Sequence, residues 1–142
     1  MIARFVLPRP VRASIETRAR SAYPRECCGL IEGIRDGARA IAMAVHPANN
    51  LAYTDDSFQI DPADHARAQR AAREAGHAII GCYHSHPDGN AEPSPRDLES
   101  ASEREFIWLI VSLARTGETG IAAFAHAESA FRIVDISEFA LA

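Results

Sequence analysis

Apolar and polar positions along the chain switch between two periods. Val11, Ile15, Ala19 and Ala22 recur near helical spacing and Pro24 stops the run, which predicts a first helix over residues 11–23. Residues 27–34 form a short apolar run with the look of a buried strand. The turn residues Arg35, Asp36 and Gly37 connect it to a second strand over 38–45, so the two predict a hairpin. Residues 46–57 are polar and loop-like, and 58–60 read as a brief strand. Asp61 suits an N-cap and Pro62 the first helical position, so a helix is expected to run to about residue 75, with Gly76 as its C-cap. Strands follow at 77–83, 106–113, 120–125 and 130–136, the last two joined by a turn at 126–129. Strands outnumber helices, and helical segments interrupt them. The expected fold is α/β or α+β, a single domain over residues 1–142 with helices packed on a mixed sheet.

Composition narrows the function classes. With 142 residues, 47% hydrophobic and 24% charged, the chain is of ordinary globular make-up, which excludes disordered and fibrous classes. Its fifteen basic residues are all arginine, and nineteen acidic residues leave a net charge of -4. That balance argues against nucleic acid as a partner, because phosphate-backbone binding needs a basic stripe. No apolar run approaches the roughly 18 residues that span a bilayer, so no membrane partner is expected. Residues 1–10 lack the continuous apolar stretch of a secretory leader. Cys27, Cys28 and Cys82 are odd in number, and sequence neighbours pair poorly, so reduced thiols and a cytoplasmic protein are expected.

Candidate chemistry concentrates in residues 82–97. A strand projects alternate side chains to one face, so His84 and His86 share a face, about 6 to 7 Å apart at Cα, and can turn toward one ion. Pro87 ends the strand, and the Asp88-Gly89 turn followed by Pro93 lets the chain double back. Ser94-Pro95-Arg96-Asp97 then opens a helix whose first-turn Asp97 can return to the ion. Two imidazoles and a carboxylate suit Zn2+ with one position left for water. The same residues have a plainer explanation: two exposed histidines and a helix capped by a Ser94/Asp97 capping box. Cys82 shares the His84 face, and as a fourth ligand it would close the site into a structural one; as a nucleophile it is poorly aimed at His84. The chain has no H-E-x-x-H helix, no G-x-S-x-G elbow and no glycine cradle for phosphate, and His126-Ala127-Glu128 lacks the P-C-x-x-C of nucleobase deaminases.

His84-x-His86, seven residues, Ser94, two residues and Asp97 together resemble the metal motif of the JAMM (MPN+) zinc metalloproteases. Pro24-Arg25-Glu26-Cys27-Cys28-Gly29-Leu30-Ile31-Glu32-Gly33 is similar to that family's other signature, and the Asn49 region and Phe58-Gln59-Ile60-Asp61 also fit its pattern. The likeness is to small bacterial members. It implies a curved β-sheet flanked by helices, His84, His86 and Asp97 as zinc ligands, Glu26 as general base, and Ser94 as oxyanion stabiliser. It further implies hydrolysis of an amide bond at the C-terminal tail of a ubiquitin-like protein or a ThiS- or MoaD-type sulfur carrier, removing residues, an attached amino acid or a conjugated protein beyond Gly-Gly. Two rival readings are a cell-wall or phage-tail peptidase and a module that binds such a tail without cutting it. Trp108 reads as core, and His46, His65, His77 and His126 receive no functional role.

Overall fold

Across residues 1–139, which this computed structural model describes, the elements follow the order β1 (Arg4–Val6), α1 (Arg9–Ala22), β2 (Cys28–Asp36), β3 (Arg39–Ala48), α2 (Pro62–Glu74), β4 (Ala78–His86), α3 (Pro95–Ser100), β5 (Ile107–Leu113), β6 (Thr119–Ala127) and β7 (Ala130–Ser137). The last three residues of the expected 1–142 domain lie outside the described residues. Gly37, at φ +62°, makes the tight β2–β3 turn in a conformation that side chains disfavour. Helix α2 starts as its sequence dictates: Asp61 accepts a hydrogen bond from the Ala63 amide at 2.9 Å, and Pro62 occupies the first turn. Its C-cap is Ala75, and the expected Gly76 is the next residue, at φ +76°.

The mixed α+β class holds, but the expected curved sheet flanked by helices needs correction. The strands run β1-β3-β2-β4-β5-β6-β7 and close into a barrel. Closure depends on β1, which pairs parallel with both β3 (Phe5 opposite Ala40) and β7 (Phe5 opposite Ile136). A three-residue strand carries too few positions for a period to be read, so the seam between first and last strands was invisible in the pattern. Closing the sheet removes edges that would otherwise be free to pair with other chains.

Alternate residues of the strands feed two apolar clusters. Ile31, Tyr83 and Leu109 join Phe5 together with Ile15 and Ala19 of α1, whereas Leu30, Cys82 and Trp108 pack with Ala68 of α2. Gly29 permits the first packing, because a Cβ there would meet the Tyr83 ring at 2.4 Å. Strands β4 and β5 are parallel, so the chain must cross back between them. That crossover carries α3 over the C-terminal end of β4. Among the described residues no helix is long and apolar enough to cross a membrane.

Candidate active site

Strand β4 ends in His84-Ser85-His86, and its pleat separates their roles. Ser85 turns away, its hydroxyl accepting the Cys27 amide at 2.8 Å. The two imidazoles turn the other way and meet, Nε2 to Nε2, at 2.9 Å. Asp97, from the first turn of α3, completes a triangle: its Oδ2 lies 3.2 Å from His84 Nε2 and 3.4 Å from His86 Nε2. Both histidines are buried, with 0% and 8% exposure, so the plainer expectation of two solvated histidines fails. The capping box is nonetheless present, since Asp97 donates its amide to Ser94 Oγ at 3.0 Å and its Oδ2 accepts the Ser94 amide at 2.8 Å.

These three edges fit a zinc ion. Ligand atoms on a tetrahedron with bonds of about 2.0–2.1 Å stand roughly 3.3 Å apart. His86 Nδ1 donates to the Asn90 carbonyl at 2.8 Å, which leaves Nε2 as a lone pair aimed at the centre of the triangle in the neutral ring. His84 packs into an aromatic cluster, stacked on Phe58 at 4.2 Å and edge-on to Trp108 at 5.9 Å. Its Nδ1 finds no partner among the described residues. Trp108 is therefore core, as expected, and packs against His84.

Glu26 stands beside the two imidazoles. One carboxylate oxygen of Glu26 and one ring nitrogen of each histidine lie within 4.8 Å of one another. No cysteine joins this group among the described residues, and Cys82 lies instead in the apolar cluster with Trp108. Besides the Cys27 amide bond to Ser85, the backbone around Glu26 is held by the Ser85 amide, which donates to the Cys27 carbonyl at 3.0 Å, and by Asn50 Nδ2, which donates to the Glu26 carbonyl at 2.9 Å. Asn50 was not singled out by the sequence. Its amide makes two further bonds as acceptor, from Ala52 and Gln59, and one more as donor to the Ser57 carbonyl, so a single side chain ties the 51–59 loop to the residue carrying the carboxylate.

The charges follow from this packing. Burial pushes Glu26 up to about 7, against the opposing pull of His86, and Asp97 adds to the rise. Asp97 is held well below the carboxylate range: burial raises it, but hydrogen bonds from His84 and His86 outweigh that. Burial lowers His84, whereas in His86 the bonds to Asp97 and the Asn90 carbonyl overcome burial and raise it. A carboxylate that titrates near neutrality, beside two ring nitrogens and an open cleft, can shuttle a proton. Ser94 also lines that cleft; its oxygen accepts from Asp97, which leaves its hydroxyl hydrogen free to donate.

Residues 8–127 match the family described as prokaryotic homologs of the JAB domain. The chain is 35% identical to a desampylase of Haloferax volcanii over 115 residues, which is 78% of this chain and 81% of that protein. It is 38% identical to a probable TtuB-protein conjugate cleaving protease of Thermus thermophilus over 63% of this chain and 59% of that protein. A solution structure of a Desulfitobacterium hafniense protein superposes with a TM-score of 0.85 at 31% identity, covering 94% of this chain and 91% of the other.

Proposed function

The chain belongs to the family of prokaryotic homologs of the JAB domain, the small JAMM type its motifs resemble, and from that premise we propose that it is a zinc peptidase or isopeptidase. It hydrolyses an amide bond at the C-terminal tail of a ubiquitin-like or sulfur-carrier protein. The observation that carries the reading is the triangle of His84 Nε2, His86 Nε2 and Asp97 Oδ2, with edges of 2.9, 3.2 and 3.4 Å, faced by the carboxylate of Glu26. His84, His86 and Asp97 would hold the ion, which when bound would supply Lewis acidity, bringing the ionisation of water to about pH 7 and polarising the scissile carbonyl. Glu26 takes the proton of the attacking water and hands it to the departing amine. The free hydroxyl hydrogen of Ser94 donates to the carbonyl oxygen as negative charge builds on it. Phe58 and Trp108 keep water off the rear of His84. A tail ending in Gly-Gly suits the narrow approach because it has no side chains to accommodate. The names of the relatives, a desampylase and a conjugate-cleaving protease, support this substrate class. A cytoplasmic location belongs to the same reading, since the three buried cysteines are free thiols.

Glu26→Gln tests the assignment. The variant is expected to keep its zinc and to lose cleavage of a ThiS-type carrier extended past Gly-Gly by about 10²- to 10⁴-fold, followed by product mass. Cleavage at the wild-type rate would remove Glu26 from the mechanism. A wild-type protein that binds the carrier and never cuts it would leave the binding-module reading in its place.

A further inference from the structure

The cleft against which Glu26 stands is a cavity of about 500 Å³ with a one-sided charge. Glu26, Asp55, Asp56, Asp88 and Glu92 line it, and His86 is the one basic side chain among the described residues on its wall. Arg25, the arginine next to Glu26 in sequence, turns its guanidinium to the Asn50 and Ala52 carbonyls at 3.4 and 2.7 Å instead. The chain has no lysine to offset these carboxylates. Asn50, through its bonds to Ala52, Ser57 and Gln59, holds the loop that presents Asp55 and Asp56. On the other flank of His84 the walls are different: Phe58, Ile60, Phe106 and Trp108 border a separate cavity of about 300 Å³. Glu26, a residue only 6% exposed, lines this cavity and brings a carboxylate oxygen within 4.8 Å of a ring nitrogen of each histidine, so the cavity opens directly onto the proposed reacting centre.

On the reading given above, Glu26 must deliver a proton to the departing nitrogen, so that nitrogen lies within its reach and the leaving group occupies the acidic cavity. We infer that Asp55, Asp56, Asp88 and Glu92 form an electrostatic filter on the leaving group, admitting a lysine ε-amine within a protein and rejecting an amino acid that carries a free α-carboxylate. Hydrolysis breaks the C–N bond, adds the oxygen of water to the carbonyl carbon and places both of its protons on the nitrogen; the acyl product leaves as a carboxylate and the amine as an ammonium. Either kind of leaving group departs as an ammonium, so the α-carboxylate is what sets the two apart. An α-linked residue places its own carboxylate one carbon from the scissile nitrogen, against that wall, where like charges are costly. Deconjugation from a protein, rather than trimming of a terminal residue, is the outcome this wall selects.

The test uses the zinc-loaded full chain and a ThiS-type carrier ending in Gly-Gly, joined in three ways: to Nε of a lysine in a peptide blocked at both ends, to alanine with a free carboxylate, and to alanine amide. The lysine and alanine-amide substrates are expected to show similar kcat/KM, and the free-carboxylate substrate at least about ten-fold less at low ionic strength. The gap should shrink as salt rises and in the double variant Asp55→Asn with Asp56→Asn. A free carboxylate cut as fast as its amide, or a gap indifferent to salt and to the variant, overturns the filter while leaving the hydrolase reading in place. Failure to cut any of the three overturns the hydrolase reading, and the filter with it.

Discussion

Asp97 places two demands on one oxygen. Its Oδ2 closes the capping box from the Ser94 amide at 2.8 Å and also faces the two imidazoles, 3.2 Å from the nearer. Substitution separates the two duties. Ser94→Ala should cost about 0.5 to 2 kcal/mol of stability, the usual worth of an N-cap, and retain zinc. Asp97→Ala should lose a similar increment in stability together with most of its metal, read by denaturation and by metal analysis of the same samples. Equal zinc content in the two variants would confine Asp97 to the cap. His84, His86 and Asp97 were legible in the sequence because each obeys a local rule: alternate strand residues share a face, and an acid three residues after a capping serine points back over it. Asn50 obeys a local rule only in its bond from the Ala52 amide, two residues on; its bonds to residues 26, 57 and 59 exist only once the fold is assembled.

Elements were legible in proportion to their length. Helices α1 and α2 and strands β2 through β7 announce themselves by period and by Pro, Gly and Asp at their ends, whereas β1 does not. The reach of β3 to Ala48 was also missed, because His46 and Pro47 look like loop. His46 is there for a reason: its Nε2 meets Glu32 Oε1 at 2.8 Å, while His77 Nδ1 meets Oε2 at 2.6 Å, so one buried carboxylate joins β2, β3 and the entry to β4. Burial raises Glu32, but the bonds from His77 and His46 outweigh it and leave it below its ordinary value. A carboxyl depressed in the folded state stabilises fully above its unfolded pKa, and that contribution is lost as pH falls through the folded one. Urea midpoints taken from about pH 6 down to about pH 3 should therefore fall more steeply for the wild type than for Glu32→Gln, with the difference arising below the ordinary glutamate value of about 4.3. Parallel curves would show that this clamp carries no pH-dependent stability.

At the scale of the whole molecule, closure and catalysis sit at different places. The barrel seam runs through β1, whose Phe5 is fully buried in the cluster that includes Ile15 and Leu109. Phe5→Ala should cost about 3 to 5 kcal/mol, the range for emptying a buried aromatic site, and leave zinc content unchanged in the folded fraction. A loss under about 1 kcal/mol would mean that the seam tolerates opening. The site lies instead where the β4–β5 crossover folds α3 back over the end of β4. Crystals grown with zinc and measured at its absorption edge decide whether an ion sits there. One anomalous peak is expected about 2.0–2.1 Å from His84 Nε2, His86 Nε2 and a carboxylate oxygen of Asp97, with Glu26 facing it. A peak elsewhere, or these three side chains turned apart with zinc in excess, would contradict this assignment.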